Sequence, residues 1–259
     1  MIISGANLRI GSAFFGMIVA GSILGAAADP RVQASQQQPP AVMTPPPPPP
    51  PEPAPPTAAP AERLGPNLFR VGTIRVDTAK KEIIVRGTAN EPHVLEFIAV
   101  TKGGLKGYES ALELDTNAIS FNLALILIGL DREHAVHPRF HFDPIPPKGD
   151  PVEIWVEWDD QGATRRVRAE QLVYNETNKR TLPEGPWVFT GSVFIEERRI
   201  YMADMDGALI GFVHTPSPIL ENPMPVMGPY GANRLNPALN LPTGTPVTVT
   251  IKALQQTGK

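Results

Sequence analysis

The sequence predicts an α+β domain in which a mostly antiparallel sheet packs around one buried central helix. Short runs of alternating apolar and polar residues predict the strands, and turn-forming residues separate these runs. One segment, residues 116–130, is apolar nearly all round and predicts the helix. We expect a single globular domain over residues 64–259, because a chain of this length can bury one sizeable core. A disordered, proline-rich segment precedes this domain in the prediction.

Residues 1–28 have the features of an export signal. The amino terminus and Arg9 supply positive charge, residues 10–28 are uncharged, and residues 26–28 are the small alanines that a signal peptidase requires. An uncleaved signal anchor is the alternative, because the uncharged stretch approaches the ~20 residues that span a bilayer. Either interpretation places the rest of the chain in the periplasm or cell envelope.

Residues 29–63 predict a disordered linker. Ten of the twelve residues in 45–56 are proline, which restricts φ and lacks an amide donor, so neither helix nor sheet can form. The extended polyproline II conformation remains. We interpret this segment as a stalk. A ligand for a polyproline-binding domain is the alternative, but a run of seven prolines matches P-x-x-P trivially.

The globular part begins with a predicted hairpin. Its strands are residues 69–76 and 82–87, joined by the polar turn 77–81. Residues 94–100 predict the next strand, because their apolar side chains are β-prone and glycines follow at 103–104.

The helix over residues 116–130 carries apolar side chains on both sides. Asp115 or Thr116 can cap its start, and Gly129 lies near its end. Fifteen residues are too few to span a bilayer, so we expect a core helix sandwiched between the sheet and the loops that cover it. The main stripe is Ile119, Leu123, Ile126, Leu127 and Leu130, and the opposite side is Phe121, Leu125 and Ile128.

The second half of the chain predicts further antiparallel strands. Residues 152–158 alternate strictly and 164–168 can return as their partner. A meander follows, whose turns are residues 196–199 and a type I′ turn at Asp206-Gly207. The strands of this meander are residues 187–195, 200–204 and 208–213, and residues 247–253 form the last predicted strand.

Several runs, in order along most of residues 68–253, carry a family resemblance. They are Lys106-Gly107-Tyr108-Glu109-Ser110 and residues 124–130, 152–158, 187–192, 201–204 and 244–247. Together they resemble the YdjY-like family of exported bacterial domains, whose biochemical role is not established. The resemblance implies a fold and an extracytoplasmic address, and it supplies no catalytic residue. Some members look like iron–sulfur proteins, but this chain lacks the cysteines that such a role needs.

Composition excludes several classes of function. The formal net charge is −3 and no basic field is present, so we expect no nucleic-acid partner. Membrane contact is expected only if residues 10–28 are retained as an anchor. The absence of cysteine excludes disulfides, thiolate nucleophiles and cysteine-ligated metals. The P-loop and dinucleotide-binding fingerprints are also absent, and we expect no cofactor.

The candidate binding surface is Trp155 between Glu153 and Glu157. An aromatic side chain flanked by carboxylates on one face of a strand can stack on a sugar or meet a partner protein. The alternative is that the helix covers Trp155, which is then part of the core.

A weaker alternative is a metal site at His134, His137 and His141. Three imidazoles in eight residues suit zinc, copper or nickel, but Pro138 prevents a helix from aligning them. We interpret this segment as a solvated loop. Ser192 is expected in a structural role inside a strand, because no nucleophile motif surrounds it.

These observations favour an exported, non-catalytic domain on a proline stalk that binds a protein or a polymer of the cell envelope. No catalytic residue is assigned. The alternatives are a metal-binding or redox accessory protein that uses the loop from His134 to His141, and a hydrolase whose site forms only by tertiary proximity.

Overall fold

The computed structural model describes residues 57–255, which lie within one compact unit, Glu52–Lys259. The predicted export signal, residues 1–28, lies outside the described residues, as do residues 29–56 of the predicted linker. The end of that linker contributes a short strand, Ala61–Arg63. No helix among the described residues has both the length and the apolar composition needed to cross a membrane.

The described residues form seventeen strands, two α-helices and four short 3-10 helices. The strands are β1 (Ala61–Arg63), β2 (Leu68–Val71), β3 (Ile74–Asp77), β4 (Glu82–Ala89), β5 (Phe97–Thr101), β6 (Ser110–Leu114), β7 (Asp150–Asp160), β8 (Ala163–Arg168), β9 (Val173–Asn175), β10 (Arg180–Thr181), β11 (Trp187–Phe189), β12 (Phe194–Ile195), β13 (Ile200–Tyr201), β14 (Ala208–Gly211), β15 (Leu220–Glu221), β16 (Asn233–Leu235) and β17 (Pro246–Ala253). The α-helices are α1 (Ala118–Leu127) and α2 (Met202–Asp206), and the 3-10 helices are Gly107–Glu109, Ala169–Leu172, Glu196–Arg198 and Pro237–Leu239.

Eight strands pair in a ring and close a β-barrel. The order is β4, β17, β7, β11, β15, β14, β5 and β6, and β6 returns to β4. Neighbours in the ring are antiparallel except β5–β6 and β14–β15, which are parallel. Cross-strand neighbours Val85, Val249 and Val156 are fully buried, whereas Arg86 on the other face of β4 is exposed.

Two strands make closure possible, because each pairs with two different strands at different points along the same edge. Strand β4 pairs with β3 through residues 82–84 and with β6 through residues 87–89. Strand β7 pairs with β11 through residues 150–152 and with β8 through residues 155–160. At the β4–β6 junction, a Cβ on Gly87 would lie 2.1 Å from the carbonyl oxygen of Glu113, so this close approach needs glycine.

The prediction of a sheet packed around a central helix is therefore wrong. An eight-stranded barrel is only wide enough for side chains from its own strands, so no helix fits inside it. Helix α1 packs instead against β2 and β3, which extend the sheet beyond the ring, and against α2 and β14.

Helix α1 is shorter than predicted, and its cap is neither Asp115 nor Thr116. The side chain of Asn117 accepts a hydrogen bond from the amide of Ser120 at 2.7 Å and starts the helix. At the other end, the amides of Gly129 and Leu130 donate to the carbonyls of Ile126 and Leu125, and Gly129 has φ +92°. This pattern is a Schellman motif, and it confirms the expected role of Gly129.

The burial of α1 also differs from the expectation. Phe121, Leu125 and Ile128, on the side predicted as secondary, are all buried, and of the predicted main stripe only Leu130, which follows the helix, is buried as well. In the predicted main stripe, Ile126 is 47% exposed and Leu123 is only partly buried. The helix therefore has one covered side and one open side, and it is not sandwiched.

The predicted meander is interrupted. The turn at residues 196–199 is confirmed, because it joins β12 to the antiparallel β13. The predicted type I′ turn at Asp206-Gly207 is wrong, since Asp206 ends α2 and Gly207 terminates that helix with φ +74°. Ser192 lies outside any strand and has φ +61°, so its expected place inside a strand is also wrong.

Candidate binding cleft

A cleft of about 620 Å³ lies beside the open side of α1. Its walls come from α1, from the chain that follows this helix, and from the segment that includes the β12–β13 hairpin. The residues that line it are Ile119, Asn122, Arg132, His137, Ser192, Val193, Phe194, Glu196 and Tyr201.

Ser192 and Tyr201 hold one wall of the cleft in place. The hydroxyl of Ser192 donates to the carbonyl of Ser217 at 2.6 Å and accepts from the amide of Ala203 at 3.1 Å. The hydroxyl of Tyr201 donates to the carbonyl of Gly191 at 3.0 Å. Burial raises the pKa of Tyr201, so the phenol keeps its proton. Both hydroxyls are therefore occupied in supporting the backbone.

Three other side chains in the cleft carry polar atoms without a partner among the described residues, and we call them the open polar groups. Asn122 Oδ1 and His137 Nδ1 are buried and have no hydrogen-bond partner among the described residues. Burial, with the nearby charge of Arg132, lowers the pKa of His137, so its ring is neutral at pH 7. The guanidinium of Arg132 is exposed and makes no hydrogen bond or ion pair within residues 57–255.

Apolar side chains surround these open groups. Phe194 is 47% exposed, and Ile119 and Val193 are partly buried. Ile126 continues the open side of α1 one turn beyond Asn122. A concave, largely apolar surface with a few convergent polar atoms is typical of a ligand-binding site.

The structure separates the three histidines of the predicted metal alternative. His134 is exposed, His137 lines the cleft, and Nε2 of His141 lies 3.0 Å from Oε2 of Glu96. Among the described residues, no group of three or more His, Asp or Glu side chains could hold a metal ion. Within the loop, Arg139 binds both carboxylate oxygens of Asp143, which holds the pKa of Asp143 well below its usual range.

Glu96 belongs to a second polar cluster. It is 3% exposed, and burial raises its pKa, an effect that the contact with His141 opposes. Glu109 is also buried and pairs with Nζ of Lys106 at 2.6 Å. His141 thus contacts a carboxylate beside a neighbouring ion pair, in different surroundings from those of His137.

Trp155, Glu153 and Glu157 lie on the outer face of β7, opposite arginines of β8. The guanidinium carbons of Arg166 and Arg168 lie 4.6 Å and 5.5 Å from the centre of a Trp155 ring. Glu157 pairs with Arg166 at 3.3 Å and Glu153 with Arg168 at 3.5 Å. These five side chains form a network of ion pairs and cation–π contacts on one face of the sheet. Binding of a ligand by Trp155 stays a prediction.

Sequence reasoning missed Arg132, Asn122, Phe194 and Glu196 as functional candidates. Asn122 offered a signal, because it is one of the few polar residues in an apolar helix. The other three lie in a loop, a short strand and a 3-10 helix up to 74 positions away, and no spacing in the sequence relates them.

The fold and the cleft define a closed β-barrel domain with a ligand-sized cleft beside its longer helix. The family model of the YdjY domain matches residues 74–252, from the first residue of β3 to the last but one of β17. The chain therefore belongs to the YdjY domain family, whose biochemical role is not established. The comparison with curated proteins found no match, and the comparison with solved structures found none either.

Proposed function

We propose that this protein is an exported, non-catalytic binding domain, held on a proline stalk, whose cleft binds a component of the cell envelope. The observation that carries the proposal is the set of open polar groups, Arg132, Asn122 and His137, between apolar walls. Burying a polar atom without a partner costs about 1–3 kcal/mol. A ligand that supplies the missing partners therefore gains that free energy on binding.

Export is proposed from residues 1–28, which combine a positive start, an uncharged stretch and an alanine run. The prolines of residues 45–56 support a stalk that spaces the domain from the membrane or wall. Both segments lie outside the described residues.

The chemistry of the cleft supports binding over catalysis. The hydroxyl of Ser192 makes hydrogen bonds to the backbone of Ser217 and Ala203, and none with His137. The phenol of Tyr201 is likewise bonded to a backbone carbonyl. A serine or tyrosine nucleophile needs a neighbouring base within hydrogen-bond reach, and neither hydroxyl has one among the described residues.

Site-specific photocrosslinking in cells that express the full chain tests this proposal. A benzophenone amino acid replaces Phe194, whose ring is a half-exposed wall of the cleft. We expect a discrete adduct with an extracytoplasmic protein or polymer, identified by mass spectrometry.

The matched control carries the same photoreactive residue at Tyr230, an aromatic residue that is 61% exposed and does not line the cleft. Equal adducts at both positions, or none at position 194, would show that the cleft is not the binding surface. Adducts with cytoplasmic proteins alone would contradict export.

A further inference from the structure

We infer that the cleft recognises the carboxyl terminus of a polypeptide with an apolar last residue. This inference rests on the proposed binding function and names its ligand chemistry. A chain terminus presents a carboxylate, a backbone N–H and a side chain on adjacent atoms. The cleft presents a matching guanidinium, acceptor oxygen and apolar wall.

Arg132 is the group suited to the carboxylate. Its guanidinium has no anionic partner among residues 57–255, although it lies in the same cleft as two buried, unpaired polar atoms. A planar guanidinium donates two parallel hydrogen bonds to a carboxylate, a geometry that adds specificity as well as affinity.

Asn122 is the group suited to the backbone N–H. Its Oδ1 atom accepts hydrogen bonds and cannot donate them, so the partner it lacks is a donor. The helix that carries Asn122 is capped at both ends, by Asn117 and by the Schellman motif at Gly129. The backbone that carries the acceptor is therefore fixed before a ligand arrives.

Glu196 and Phe194 narrow the choice of ligand further. The exposed carboxylate of Glu196 also lines the cleft, and it opposes the binding of phosphates and other polyanions more strongly than that of a single carboxylate. The ring of Phe194, with Val193 and Ile119, offers apolar surface to a ligand side chain. A single carboxylate joined to an apolar group fits this combination better than a polyanion or a sugar.

Titration of the full chain with short peptides tests the inference, with the ring resonances of His137 in NMR spectra as the readout. The probes are N-acetyl-Ala-Ala-Leu with a free carboxylate and the same peptide as its carboxamide. We expect saturable shifts with the acid and at least tenfold weaker binding of the amide.

Two variants assign the contacts. Arg132→Gln should weaken binding of the acid at least tenfold and remove the preference for acid over amide. Asn122→Leu should weaken both peptides. Arg70→Gln is the matched control, because Arg70 is an exposed arginine on β2 that pairs with Glu62 at 2.5 Å. It should bind the acid as the unaltered chain does.

Three outcomes with the acid and amide peptides would overturn the inference. They are equal binding of acid and amide, unchanged binding by Arg132→Gln, and no binding of either peptide. Tighter binding of a peptide ending in D-alanine would also overturn it, in favour of a peptide of the envelope polymer. The crosslinking experiment decides the binding function separately, so the ligand class can fail while that function stands.

Discussion

Glu221 is a buried carboxyl group whose one hydrogen-bond partner among the described residues is a backbone amide. It is fully buried on β15, and the amide of Thr215 donates to its Oε1 at 3.1 Å, while Oε2 has no partner among the described residues. Burial raises the pKa of Glu221 well above its usual value, because the charged form loses its hydration. One hydrogen bond to the carboxylate only partly opposes this effect.

Glu221 should make the stability of the protein fall as pH rises. Its pKa is higher in the folded than in the unfolded chain, so between the two values the folded state binds more protons. The free energy of unfolding then decreases with pH, with a slope approaching about 1.4 kcal/mol per pH unit. Glu221→Gln should flatten this slope above pH 5 in urea melts. Parallel pH profiles for this variant and the unaltered chain would contradict the assignment, and Glu62→Gln, at an exposed site, is the control.

At the scale of elements, α1 shows what apolar periodicity predicts and what it leaves open. The pattern located the helix within a few residues, because a run of apolar side chains without proline is a strong signal. Since nearly every position is apolar, the pattern did not determine which side is covered. Tertiary packing against β2, β3, α2 and β14 decides that, and it buries Leu125 rather than Ile126.

Truncation of leucines in α1 should separate its two sides. Leu125→Ala removes a fully buried side chain and should lower the free energy of unfolding by about 2–5 kcal/mol. Leu123→Ala should cost clearly less, because Leu123 is only partly buried. Ile126→Ala, at a residue that is 47% exposed, should stay within about 0.5 kcal/mol. Denaturant melts measure the free energy of unfolding of all three variants. Equal losses for Leu123→Ala and Leu125→Ala would show instead that both sides of the helix are covered.

For the whole molecule, the strands were predictable and their closure was not. Residues 152–158 were recognised by period-two alternation and 247–253 as the last predicted strand, and both lie in barrel strands. Alternation identifies a strand face without naming its partner, so it gives no sign that β17 lies between β4 and β7. The cleft was not predicted for the same reason, since Asn122, Arg132 and Phe194 line one cleft only in the folded chain.

Gly87 offers a direct test of the ring. Gly87→Ala places a Cβ against the carbonyl oxygen of Glu113, so the β4–β6 pair must separate and stability should fall by about 1–3 kcal/mol or more. The control is Gly65→Ala, where the new Cβ meets only the side chain of Leu68 at 3.7 Å. Because Gly→Ala at an unstrained position normally stabilises a chain, opposite signs in urea melts are the expected result. An alanine variant at position 87 as stable as the original would show that the junction is not tight.

The position of β17 in the ring has a consequence for the timing of folding. This strand is the last of the described chain, yet it joins β4 to β7, which are made long before it. During synthesis, the edges of β4 and β7 that pair with β17 are therefore unpaired at first. The barrel cannot close until residues 246–253 have emerged. Pairing between segments so far apart in the chain is also slow to form. A growing chain of this design therefore exposes the edges of β4 and β7 until the strand that pairs with both has been made.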